Sequence, residues 1–158
     1  MSTTTLTQPA ATPVMGILAS LALCALLPSL AISSANVALP VLAMDLHAGF
    51  AQVQWVVLGY LLATTSLIVG AGRLGDLVGR RRLLLAGIAL FTAASAACAL
   101  APGLPLLIAA RALQGAGGAA MMALTMAMVG AALPKARTGS AMGLLGTMSA
   151  VGTALGPS

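Results

Sequence analysis

Carboxylates are almost missing from this chain: Asp45 and Asp76 are the only acidic side chains among its 158 residues. No carboxylate pair and no nucleophile–base pair is recognisable, so enzyme chemistry is not expected. Histidine occurs once, and His47 reads as a solvated loop residue. Cysteine occurs twice; Cys24 and Cys98 each sit inside an apolar run, as small packing residues, with no disulfide framework and no metal-ligand spacing. Neither a metal nor a cofactor is expected. Charged residues make up only 6% of the chain, against about a quarter in a soluble domain, which excludes a water-soluble globule. The formal charge of +5 would suit a nucleic-acid partner, but aromatic residues are only 3% and the basic residues sit at the ends of long apolar runs. That placement reads as membrane topology and argues against nucleic acid. What the chain has in abundance is apolar residues, 60% of the total, with a mean hydropathy of +1.09. This is the composition of an all-α, polytopic transmembrane helix bundle whose first partner is the lipid bilayer.

Residues 1–13 are polar, Thr-rich and interrupted by Pro9 and Pro13, and read as a short disordered leader. Residues 14–158 read as a transmembrane region with spans at about 14–40, 51–72, 83–101, 105–133 and 139–158. Each is close to or above the roughly 20 residues that a helix rising 1.5 Å per residue needs to cross the hydrocarbon core. A cleaved secretory signal is the rival for the first run, but residues 1–44 contain no Lys or Arg. Trp55 opens the second span as an interfacial anchor. Pro102, Gly103 and Pro105 predict a tight hairpin between the third and fourth spans. The fifth span is still running at Ser158, so the sequence reads as an incomplete bundle, a fragment. Of the 7 Lys and Arg, Arg73, Arg80, Arg81 and Arg82 fall between the second and third spans, and Lys135 and Arg137 between the fourth and fifth. The positive-inside rule then puts those loops and the N-terminus in the cytoplasm, with residues 45–50 and 102–104 outside.

The densest charge lies in GRLGDLVGRRR, from Gly72 to Arg82. Gly70, Gly72 and Gly75 spell G-x-G-x-x-G, but a dinucleotide site needs a short strand before that pattern, and here a membrane-length run precedes it. The residues read instead as a tight cytoplasmic turn, in which glycines let two helix ends approach. Asp76 is placed near the start of the next helix, where a negative charge meets the positive end of a dipole. Arg111 stands inside the fourth span, at a cost of about 2.5–3.5 kcal/mol at mid-membrane, and is expected to face a cavity or a partner. Snorkelling to the interface is the plainer alternative. Gln114, three residues on, shares its helix face. Met121, Met122, Met126 and Met128 read either as an adaptable apolar surface for ligands or as packing filler.

These residues carry a resemblance. GRLGDLVGRRR resembles motif A of the major facilitator superfamily, G-x-x-x-D-R/K-x-G-x-R/K-R/K, through Gly72, Asp76, Gly79, Arg81 and Arg82, with Arg80 beside them and Leu77 replacing the usual basic residue. Leu107, Arg111, Gln114, Gly115, Gly117 and Ala119 resemble motif B of the same superfamily. Gly146, Gly152, Gly156 and Pro157 resemble the beginning of motif C, which is characteristic of the superfamily's antiporters. SSANVALP and QWVVLGY resemble the start of the fourteen-span drug:proton antiporters through Leu30, Asn36, Val37, Ala38, Leu39 and Pro40. Ala31 stands where that pattern has an aspartate.

The resemblance implies the first five spans of an N-terminal bundle, working by alternating access with C-terminal spans absent from this sequence. It implies a proton-coupled exporter of small amphipathic or cationic substrates in a bacterial inner membrane, with the proton gradient as energy source. Asp76 and its neighbours would form a cytoplasmic latch. Arg111, Gln114 and Asn36 would serve proton coupling or the substrate cavity, and Gly152, Gly156 and Pro157 would allow close approach and bending of the fifth span. A superfamily symporter or metabolite exporter, and a non-transporting membrane fragment, stay open beside that reading.

Overall fold

The computed structural model describes residues 11–132 and 135–155, with side chains for residues 16, 19–131 and 138–155. Five helices follow one another: α1 (Ala11–Asp45), α2 (Phe50–Val78), α3 (Arg80–Ala99), α4 (Leu104–Ala132) and α5 (Lys135–Leu155). No strand occurs among the described residues. A helix satisfies its own backbone polar groups, so it is the local structure a continuous apolar run adopts in lipid. Four helices, α1 to α4, are long and apolar enough to cross a membrane. The fifth, 21 residues long, has the length but begins on Lys135 and Arg137 and is rich in Gly, Ser and Thr, which lowers its hydropathy. The chain is thus a multi-pass helical membrane bundle.

Helix boundaries depart from the sequence reading in several places, among them the end of α1, which runs on to Asp45, and the start of α5, which lies at Lys135 and not near residue 139. Ala11, Thr12 and Pro13, read as leader, form the first turn of α1; proline is tolerated there because first-turn N–H groups have no intrahelical partner. Residues 1–10 lie outside the described residues. The charged loop expected over residues 72–82 is almost wholly helical: α2 runs through Val78, α3 starts at Arg80, and Gly79 alone separates them. Charged side chains are compatible with a helix end that projects past the hydrocarbon. The break comes instead from Gly79, at φ 104° and ψ 121°, a conformation open to glycine and strained for other residues.

α4 is the centre of the bundle, packed between α2 and α3 and touching α1, while α5 packs mainly on α1. Lipid removes the usual hydrophobic drive between helices, so close van der Waals contact through small residues has to hold them. Two glycines of α4 show this. Gly115 lies against the Tyr60 carbonyl and the Thr64 hydroxyl of α2. Gly117, about 200° further round the helix, faces α3: a methyl group there would lie 2.7 Å from the Phe91 nitrogen and 2.9 Å from the Gly87 oxygen. On the other side of the bundle, Gly152 lets α5 onto α1, where the Ser29 and Ser149 hydroxyls lie 2.6 Å apart and Ser33 donates to the Thr153 carbonyl at 2.6 Å.

Candidate functional site

Three buried polar atoms without a hydrogen-bond partner are found among the described side chains, and all lie on α4: Arg111 Nε, Gln114 Oε1 and Thr125 Oγ1. Leaving such an atom unpaired costs about 1–3 kcal/mol, so natural proteins rarely collect several on one helix without use. Arg111 is half-buried and its Nη1 donates to the Ala31 carbonyl of α1 at 3.1 Å. Gln114 is only 5% exposed, and its Nε2 donates to Ser95 Oγ of α3 at 2.7 Å. Ser95 Oγ in turn donates to its own helix, at the Phe91 carbonyl, 2.7 Å away.

Arg111 and Gln114 therefore reach in different directions, one towards α1 and the other towards α3. Asn36 is not brought to them. It is exposed on α1, five residues past Ala31 and so about 140° round that helix. The α1 contact of Arg111 is the residue at which the sequence pattern has an alanine in place of an aspartate. Among the described residues the two carboxylates stand at helix ends, Asp45 closing α1 and Asp76 in the last turn of α2. The guanidinium is thus held by a backbone carbonyl, leaving its Nε free for an oxygen acceptor.

The second cluster forms at the junction of α2 and α3. Asp76 lies at the end of α2, not near the start of α3 as the sequence reading expects. There its charge adds to the negative end of the α2 dipole, the unfavourable position, and Arg80 offsets it. Arg80 Nε and Nη2 both donate to Asp76 Oδ1, at 3.0 and 2.9 Å, while Nη1 donates to the Ala127 carbonyl of α4 at 3.0 Å. One arginine so joins the ends of three helices. Arg81 and Arg82 are exposed, Leu77 is 85% exposed, and Gly72 has open space where a side chain would go. Gly75, buried against Leu124, makes the close approach. Gly156 and Pro157 lie outside the described residues.

Several polar residues of the bundle escaped the sequence reading. Thr64 Oγ1 lies 2.9 Å from the Tyr60 carbonyl and 3.1 Å from the Gly115 carbonyl, and Tyr60 Oη donates to the Pro28 carbonyl at 3.3 Å. Together with Ser95 they tie α1, α2 and α3 to one another or to α4. A Ser or Thr in an apolar helix ordinarily satisfies itself on the preceding turn, so its presence alone carries no signal.

The exposed Asp76–Arg80 pair contributes at most about 0.5 kcal/mol to stability. Asp76→Asn is therefore expected to leave expression and melting in detergent unchanged. A large loss of transport in the full-length protein, measured beside that unchanged melting, would mark Asp76 as part of a moving contact; normal transport would leave it a helix-end charge.

A family model described as Major Facilitator Superfamily matches residues 21–158. Among similar proteins, the probable actinorhodin transporter of Streptomyces coelicolor is 41% identical over 77% of this chain and 21% of its own length. Multidrug resistance protein Stp of Mycobacterium tuberculosis is 42% identical over 77% of this chain and 23% of its own. Riboflavin transporter RibZ of Clostridioides difficile is 36% identical over 77% of this chain and 27% of its own. The chain spans between a fifth and a third of the length of these relatives. Five consecutive helices packed through glycine, a basic helix junction and a half-buried arginine, together with a match over nearly the whole chain, place it in one family: the chain belongs to the Major Facilitator Superfamily.

Proposed function

We propose that this chain is the N-terminal part of a proton-coupled exporter of small organic molecules, with Arg111 on the wall of the transport cavity. The observation that carries the reading is the guanidinium set between α4 and α1 with an unpaired buried nitrogen. A charge so costly in a membrane helix is kept where it meets a cavity or a mobile partner. Relatives named for actinorhodin transport and for multidrug resistance support export of organic compounds. Alternating access would rock this bundle against the remaining spans, and the Asp76–Arg80 junction would make and break its contact with them. The relative named as a riboflavin transporter favours a second reading, a metabolite transporter. Accumulation assays with a drug panel and a metabolite panel, in cells lacking their own efflux pumps, separate the two: the first reading expects export of several unrelated drugs, and transport of one metabolite alone would support the second.

The same proposal sets orientation in a bacterial inner membrane: cytoplasmic N-terminus, with the α2–α3 and α4–α5 junctions inside, because Arg73, Arg80, Arg81, Arg82, Lys135 and Arg137 gather there. With Cys24 and Cys98 first replaced by serine, His47→Cys is expected to react with an impermeant maleimide added to intact cells. Arg81→Cys should react only after permeabilisation, and the reverse pattern would invert the topology.

A further inference from the structure

An open apolar groove of about 450 Å³ runs between α2 and α3, with α4 as its floor. Leu67 and Leu74 form one wall, Leu83 and Leu90 the other, and the methyl groups of Ala116 and Ala120 the base. It exists because α2 and α3 both pack on α4 but scarcely on each other. From Leu67 to Leu74 it extends roughly 10 Å along α2.

Its basic end settles what fits it. Arg73 and Arg82 directly precede the groove residues Leu74 and Leu83 and both are exposed, while Arg81 lies about 200° round α3 from Leu83, away from the groove. No described carboxylate neutralises them. Asp45 closes α1, and Asp76, about 200° round α2 from Leu74, is engaged by Arg80. Two cations at the mouth of an apolar trough match a ligand with an anionic head and a hydrocarbon tail, as a lipid of the surrounding leaflet supplies.

We propose that this groove holds an acyl chain of an anionic phospholipid whose phosphate is bound by Arg73 and Arg82. A neutral lipid would fill the trough without using the arginines, and a helix from elsewhere in the longer polypeptide would fill it without a headgroup.

The test is native mass spectrometry of the purified protein at its full expressed length, titrated with phosphatidylglycerol or with phosphatidylcholine of the same chains. Phosphatidylglycerol is expected to bind more tightly, by about fivefold for each arginine engaged. Arg73→Gln and Arg82→Gln combined should abolish the preference, and the corresponding double lysine variant should keep it. Gly70→Leu adds a side chain where no neighbour lies within 4 Å, and is expected to weaken both lipids without harming the fold. Equal binding of the two lipids, or a preference that survives the glutamine variant, overturns the proposal. So does a photoreactive residue in place of Ala86 that captures another helix of the same chain and no lipid.

Discussion

Arg111→Ala in the full-length transporter is expected to abolish export against a gradient while leaving insertion and expression intact. Insertion should be undisturbed because the change removes a side chain that disfavours the bilayer centre by about 2.5–3.5 kcal/mol. Transport should fail because the donor to the Ala31 carbonyl, and the unpaired Nε beside it, disappear together. Arg111→Lys keeps the charge but loses the planar fork of donors, so it should insert normally and transport at a rate reduced by about tenfold, for a loss near 1.4 kcal/mol. Ala31→Asp probes the same contact from α1. It places a carboxylate on the residue whose carbonyl the guanidinium already touches, and is expected to change the dependence of transport on pH. Export by the alanine variant with an unchanged pH dependence would make Arg111 a structural residue. Accumulation of substrate in cells, read beside surface labelling of the protein, distinguishes these outcomes.

Gly117→Val should break the bundle. The new side chain would meet the backbone of α3 at Phe91 and Gly87, and backbone cannot swing aside as a side-chain end can. The expected loss is about 3 kcal/mol, the upper end of what overpacking costs, and appears as a lowered melting temperature in detergent together with faster proteolysis. Gly143→Ala is the matching control. Nothing lies within 4 Å of Gly143, so alanine there should be neutral or stabilise α5 by up to about 1 kcal/mol through its better helix propensity. If both substitutions melt alike, close backbone contact between α3 and α4 does not hold the bundle.

The pattern of apolar runs made the helices and their order legible, since Asp45, the cluster from Arg73 to Arg82, and Pro102 punctuate runs of membrane length. The faces were not legible. A helix that is apolar all round gives no periodic signal for which side is buried. The resemblance groups Asn36 with Arg111 in one site, yet α1 presents Ala31 to Arg111 and leaves Asn36 exposed. Charge misled at the α2–α3 junction, where Arg73 to Arg82 suggested a loop although a single glycine makes the break. Asp76 then fell on the wrong helix. Its pairing with Arg80 spans i to i+4, a spacing visible in the sequence, but the second bond of Arg80, to the Ala127 carbonyl, depends on how α4 docks. Spacing along one helix is local; Gln114 on Ser95 and Thr64 on Gly115 are products of packing.

The proposed proton-coupled export is tested most directly by proton flux. The full-length protein, purified and reconstituted into liposomes holding a pH-sensitive dye, is given a transported compound on one side with no imposed voltage. Substrate moving one way is expected to drive protons the other way, and Arg111→Ala to silence this flux in liposomes of equal protein content. Substrate movement with no proton flux, or with protons moving in the same direction, would contradict it.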